Sequence, residues 1–291
     1  MGNERNSRHG STVKSRTLGA ELRSARKQAG VEVDELTEVL ELSAGWLSKL
    51  EGGTRGTDTG NIARLLGFYR SDQDTVERIM ALHADPRDWF VGCGHGPGGV
   101  DELAVLLRHE AAAQEVFAYE TVSVPALAQN PAYALAVLQR DPLATPEEIE
   151  RRSQARTRRQ QVLTGEARFV FVVRETTLRN LGTDRRTAAE QLRHLATLPN
   201  GGKIGVRVLP RLMSGPYWDR YPFSLMQSEH YRPVVHVDAM YHSLFLDHPD
   251  DVTAYQGAME SILSNTLSVE ESQALIMHLA NNVTAVAGKT G

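Results

Sequence analysis

The stretch Ser43-Ala44-Gly45-Trp46-Leu47-Ser48-Lys49-Leu50-Glu51-Gly52-Gly53 decides the fold. Leu47 and Leu50 are spaced as the buried face of a short helix requires. Ser43 stands at the N-cap, where its hydroxyl can accept from the exposed amides of the first turn. Gly52-Gly53 supply the stop. With the leucines inward, Ala44, Gly45, Trp46, Ser48 and Lys49 fall on the outer part of the helix. Small residues at its start allow close entry to a DNA major groove about 12 Å wide. Ser48 can hydrogen-bond base edges or phosphates, and Lys49 can reach phosphate or a guanine edge. Thr54 and Arg55, just past the helix, suit contacts to the DNA backbone. Two readings of Trp46 stay open: packing on sugar and thymine methyl groups, or packing on the next helix.

Outward from this stretch, residues 16–90 read as five short helices. Leu18, Leu22 and Ala25 share a face of the first. Leu36, Val39 and Leu40 serve the second, and Ile62, Leu65 and Leu66 the fourth. Val76, Ile79, Met80 and His83 line the fifth. Each spacing is the three-or-four step of an amphipathic helix, and Gly30, Ser43, Gly52-Gly53 and Gly56 mark the breaks. Residues 1–15 are polar, with no apolar run of the kind a secretory leader carries, and read as a disordered arm.

The pattern Leu22-Arg23-x-x-Arg26-x-x-x-Gly30, then Leu36, Ser43 and Leu47-x-x-Leu50-Glu51-x-Gly53, resembles the Xre or phage-repressor class of helix-turn-helix proteins. The resemblance implies that Arg26 pairs with Glu51 to buttress the recognition helix, so both are structural rather than reading residues. It also shows departures. Val33 stands where the class has a glutamine opening the second helix, and Glu41 where it has a turn glycine. Between Leu18 and Gly53 there are four bases (Arg23, Arg26, Lys27, Lys49) against seven acids (Glu21, Glu32, Asp34, Glu35, Glu38, Glu41, Glu51), a balance unfavourable for phosphate steering.

Residues 91–100, with Gly92-Cys93-Gly94-His95-Gly96-Pro97-Gly98-Gly99, read as a glycine-rich linker. A phosphate loop would need a preceding strand and an immediate helix. What precedes is the turn-like Asp85-Pro86-Arg87-Asp88-Trp89. Cys93 with His95 nearby lacks a rigid element to hold a nucleophile and its base together.

Residues 101–287 mix helices with strand candidates at 168–174, 203–209, 223–227, 234–239 and 244–246. The expectation is a larger α+β domain with a mostly antiparallel sheet. Its series Pro125-Ala126-Leu127-Ala128-Gln129-Asn130-Pro131, Glu147-Glu148-Ile149-Glu150-Arg151-Arg152 and Val206-Arg207-Val208-Leu209-Pro210 resembles the C-terminal domain of WhiJ-like Xre regulators of actinobacteria, abundant in Streptomyces. That resemblance implies a transcriptional regulator acting with a small partner protein encoded nearby. Glu147 and Glu148 precede Arg151 and Arg152 by four, the favourable order for pairing along a helix, so the arginine cluster reads as a self-paired face. Tyr217, Trp218, Tyr221 and Phe223, with His236 and Asp238, are candidates for a small-molecule pocket. No cofactor motif and no recognised metal-ligand spacing is present.

The net charge of −4 argues against nonspecific coating of nucleic acid. The single cysteine, Cys93, allows no intrachain disulfide and fits a reducing, cytoplasmic setting. No apolar run approaches the roughly 18–20 residues that span a bilayer. The leading expectation is a sequence-specific DNA-binding regulator, a homodimer on double-stranded DNA, whose larger domain serves dimerisation, partner binding or ligand sensing. The rivals are an antitoxin-like module holding a small protein, and an enzyme built on the α+β domain behind a vestigial head.

Overall fold

The computed structural model describes residues 11–87, 90–94, 100–198, 202–211, 220–239 and 242–285. Five helices lead the chain: α1 (Val13–Gln28), α2 (Val33–Leu40), α3 (Ala44–Glu51), α4 (Thr59–Tyr69) and α5 (Gln73–Ala84). There follow β1 (Phe90–Gly94), α6 (Glu102–Ala112), β2 (Glu115–Glu120), α7 (Pro131–Leu138), α8 (Pro146–Arg159), β3 (Arg168–Arg174), α9 (Glu175–Arg179), α10 (Arg185–Thr197) and β4 (Ile204–Leu209). The last elements are β5 (Phe223–Gln227), β6 (Val234–Ala239), β7 (His242–Leu246), α11 (Pro249–Ser264) and α12 (Val269–Ala285). An all-α head is thus followed by an α+β part, as the sequence indicates. The chain divides into two compact units, one of residues 1–109 and 227–252, the other of residues 110–226 and 253–291.

In the first unit the five helices enclose Leu18, Leu22, Leu36, Leu47, Leu50, Ile62, Leu65 and Ile79, all buried. Helix α1 begins earlier than the expected boundary at residue 16. Thr12 caps it in a reciprocal capping box with Ser15, which ties down two amides that have no partner inside the helix. Residues 1–10 of the expected arm lie outside the described residues. Val39, expected inward, is 60% exposed. In a helix of two turns, Val33, Leu36 and Leu40 already fill the stripe facing the core, and Val39 falls beyond its edge.

Helix α2 ends at Glu41, which takes the left-handed conformation (φ 53°). That conformation costs a residue with a Cβ about 1–2 kcal/mol, and glycine adopts it freely. Glu41→Gly is therefore expected to stabilise the head by several tenths of a kcal/mol after the entropy of the added glycine is deducted, read as a rise in urea midpoint.

The same unit contains β1, β6 and β7, with β7 central and antiparallel to both neighbours. Gly92 lies opposite Leu244, and Leu244 opposite Val237. Residues 91–94, expected as part of a linker, therefore form a strand. A ladder uses backbone groups, which glycine offers as well as any residue, and buried Val91 anchors the strand by its side chain. Residues 95–99 of the expected linker lie outside the described residues.

His109 of α6 is buried in this unit. Its Nδ1 is 2.8 Å from the Val105 carbonyl, which can only accept, so Nδ1 carries the proton and Nε2 accepts from Arg16 Nε at 3.3 Å. Burial, reinforced by the charge of Arg16, pushes its pKa from 6.5 down to about 3. Between those values the unfolded chain binds more protons than the folded one. Stability contributed here is complete above pH 6.5 and falls as pH falls, with a slope of up to about 1.4 kcal/mol per pH unit. His109→Gln is expected to flatten the pH dependence of urea unfolding between pH 6.5 and 5; an unchanged slope would contradict this assignment.

In the second unit β2, β3 and β4 pair in parallel, with Tyr119 opposite Val172 and Val172 opposite Arg207. The antiparallel expectation thus holds for β1, β7 and β6, and a parallel run is added to it. Parallel neighbours need long crossovers, and α7 with α8, then α9 with α10, occupy them in sequence. β3 reads Arg-Phe-Val-Phe-Val-Val-Arg, the near-continuous apolar run of a strand covered on both faces. The edge at β4 is blocked: Val208 N–H donates to Ser272 Oγ, and the Val208 carbonyl accepts from Leu267 N–H, both at 2.9 Å. On α8 the expected pairing along the helix is seen at Glu148, which also lies 3.9 Å from Arg151, whereas Arg152 and Arg159 in addition reach acids outside the helix. Arg152 lies 3.7 Å from Glu148 and 3.2 Å from Asp141, and Arg159 reaches buried Glu110 at 2.7 Å. Among the described residues no helix is long and apolar enough to cross a membrane.

Candidate nucleic-acid interface

The site is built on α3. The Ser43 side chain accepts from the Trp46 N–H at 3.1 Å, fixing the first turn. Leu47 and Leu50 are buried and hold the helix to the core. Ser43, Ala44, Gly45, Ser48 and Lys49 are exposed, so the outward face assigned from sequence is open to solvent within its unit. Trp46 is half-buried and packs on the core, while the Arg55 guanidinium sits 5.9 Å from its ring centroid. Trp46 thus contributes packing to the core, and its ring lies within cation–π range of Arg55.

The end of α3 has a defined geometry. Gly53 N–H donates to the Leu50 carbonyl at 3.0 Å, and Thr54 N–H to the Lys49 carbonyl at 2.9 Å, with Gly53 left-handed (φ 69°). These two bonds make a Schellman stop. They place exposed Thr54 and Arg55 directly beyond the last turn.

Arg26 and Glu51 form the pair that the resemblance implies. Arg26 Nε donates to Glu51 Oε1 at 2.7 Å and Nη2 to Oε2 at 3.1 Å, a two-pronged geometry, while Nη1 donates to the Val31 carbonyl at 2.9 Å. The hydrogen bond to Glu51 raises the Arg26 pKa above its ordinary value. Arg23 lies 3.8 Å from the same carboxylate. Arg26 is thus committed to structure, whereas Lys49 on the helix and Arg55 beyond it are exposed, as is Arg23 beside Glu51. Asp34, Glu35, Glu38 and Glu41 of the preceding turn-and-helix segment are also exposed.

The pocket candidates do not share one unit. Tyr217 and Trp218 lie outside the described residues. Tyr221 is exposed, whereas Phe223 is buried with its ring 5.4 Å from Phe117 and 5.0 Å from Tyr255, a core position in the second unit. His236 and Asp238 belong to the first unit. His236 is buried with its ring 4.7 Å from Phe245, and Asp238 is exposed, accepting from Ser243 Oγ at 3.4 Å. Among the described residues no group of histidine, cysteine and acidic side chains could hold a metal ion. Sequence reasoning missed Ser15, Arg16 and Asp247, which meet at the first turn of α1. No local pattern marks them, since Val13 and its partner Asp247 are 234 positions apart.

A short capped helix with an open outer face, seated on four others, defines a helix-turn-helix domain, and the helix-turn-helix family model matches residues 17–79. The chain belongs to the DUF5753 family, described as a domain of unknown function, whose model matches residues 103–278. No curated protein matches the chain. The solved structure of TrmBL2, an archaeal chromatin protein with a novel mode of DNA binding, aligns with 72% of this chain and 66% of its own at 9% identity. Its TM-score of 0.32 is too low to define a shared fold.

Proposed function

We propose that the chain is a sequence-specific, DNA-binding transcriptional regulator of the Xre class, similar to the WhiJ-like regulators of actinobacteria. The observation that carries the reading is the outer face of α3, where Ser43, Ala44, Gly45, Ser48 and Lys49 are exposed on a helix fixed at both ends. The small residues give close approach to base edges, Ser48 and Lys49 supply the polar contacts, and Thr54 and Arg55 hold the DNA backbone. The protein acts as a homodimer, in the cytoplasm at the nucleoid, on two half-sites about 34–36 Å apart. The α+β part serves dimerisation, a small partner protein or ligand sensing, and the reading carries no catalytic step.

A gel shift on the promoter of the protein's own gene tests it. Lys49→Ala is expected to weaken binding and to lower the salt slope by about one. Ser48→Ala is expected to weaken it with the slope retained. Binding indifferent to both changes would take α3 out of the interface.

A second reading, an antitoxin-like module that holds a small protein, is favoured by one feature. The exposed acids Asp34, Glu35 and Glu38 of α2 flank the exposed apolar Val39. Purification of the tagged protein from its native host separates the readings: a stoichiometric small protein without retained DNA supports the second.

A further inference from the structure

The first turn of α1 touches two things at once. On one side is Asp247, wholly buried just after β7. Its Oδ2 accepts from the Val13 N–H at 2.7 Å, an amide with no partner inside the helix, and lies 3.6 Å from Arg16 Nη2. A carboxylate at a helix N-terminus is also favoured by the helix dipole. Arg16 is held further by the Ser11 carbonyl at 2.7 Å, by His109 Nε2 at 3.3 Å, and by the Tyr231 ring, whose centroid is 4.5 Å from the guanidinium carbon. Burial lowers the Arg16 pKa to about 10, with Asp247 opposing the shift, so the guanidinium stays charged at neutral pH.

On the other side is the stop of α3. Ser15 Oγ donates to the Gly53 carbonyl at 2.7 Å. Gly53 lies so close to Arg16 that a Cβ on it would come within 2.5 Å of the Arg16 Cα. The residue whose side chain meets Asp247 is therefore the residue whose backbone supports Gly53.

We propose that Asp247 is a positioning residue for DNA reading: through the first turn of α1 it sets the stop of α3 and, with it, the presentation of Lys49, Thr54 and Arg55. The proposal rests on the DNA-binding reading above. Asp247 lies inside the segment matched by the DUF5753 family, yet it belongs to the unit of the helix-turn-helix head. A rearrangement of residues 227–252 would thus reach the DNA-reading surface through a single turn of helix.

The test uses the full chain with Trp89→Phe and Trp218→Phe, which leaves Trp46 as the sole tryptophan. Into it go Asp247→Ala, Asp247→Asn (which keeps an acceptor for Val13 but drops the charge), Ser15→Ala, and Phe171→Leu as a destabilising control in the second unit. Acrylamide quenching of Trp46 is measured at a temperature where circular dichroism shows each variant folded, and promoter affinity is measured in parallel. Asp247→Ala is expected to change Trp46 quenching and to weaken DNA binding at least tenfold. Asp247→Asn should recover part of both, and Phe171→Leu should lower the melting temperature while leaving both unchanged.

If folded Asp247→Ala matches the parent in quenching and affinity, the proposal is overturned. If Asp247→Ala does not fold, unchanged quenching in both Asp247→Asn and Ser15→Ala overturns it. A parent that binds no promoter DNA sinks the DNA-binding reading, and Trp46 quenching still decides whether Asp247 positions α3.

Discussion

Glu51→Ala is expected to cost the helix-turn-helix head about 3–5 kcal/mol in urea unfolding. Both side chains of the Arg26–Glu51 pair are 8% exposed. Removing the carboxylate leaves a buried guanidinium that cannot shed its proton and retains only the Val31 carbonyl as acceptor. Glu51→Gln keeps one acceptor and is expected to lose roughly half as much. Replacing both members with apolar residues, Arg26→Leu with Glu51→Met, is expected to restore much of the loss, because the desolvation of two charges disappears with the pair. That non-additivity is the diagnostic result. If Glu51→Ala costs less than about 1 kcal/mol, water screens the pair and it does not hold α3.

Gly53→Ala is expected to cost about 2–5 kcal/mol, the sum of a left-handed backbone, about 1–2, and overpacking, about 1–3. The added methyl would lie 2.6 Å from the Arg16 backbone nitrogen, and backbone cannot rotate aside as a side chain does. Gly19→Ala makes the companion case with a reversed sign. On helix propensity alone, an alanine in the middle of α1 should gain about 1 kcal/mol. Here its Cβ would be 2.7 Å from the Glu51 carbonyl oxygen and nearer still to that of Leu50. The expected result is net destabilisation, measured by thermal unfolding. A gain in stability at Gly19 would mean that α1 and α3 can separate without cost.

The head was legible where its signals are local. Ser43 announces a cap, Leu47 and Leu50 an inward face, and Gly52-Gly53 a stop, and each is read within one or two turns of chain. Arg26 and Glu51 were legible only through resemblance, since nothing in their separate surroundings says that they meet. Val39 was misplaced because two turns of helix leave the edge of an apolar stripe ambiguous. Gly92-Cys93-Gly94 reads as punctuation, and its strand exists only because residues 242–246 lie alongside. β3 shows the same dependence, because a solidly apolar run suits either pairing direction and the choice of parallel neighbours is made by the crossovers. Of the candidate site, the outward residues of α3 were visible from periodicity. The support of that helix by Ser15, Arg16 and Asp247 was not, because each is an ordinary polar residue until the fold brings the three together.

The return of residues 227–252 to the unit of the head has a practical consequence. A chain cut after residue 100 keeps all five helices but lacks Asp247, Tyr231 and the strand that pairs with β1. The Val13 amide and the Arg16 guanidinium would then face water where they now meet a carboxylate. The head is no cassette to be lifted out, and a chimera that joins residues 1–100 to a foreign C-terminal part would separate them from the residues 227–252 that share their unit.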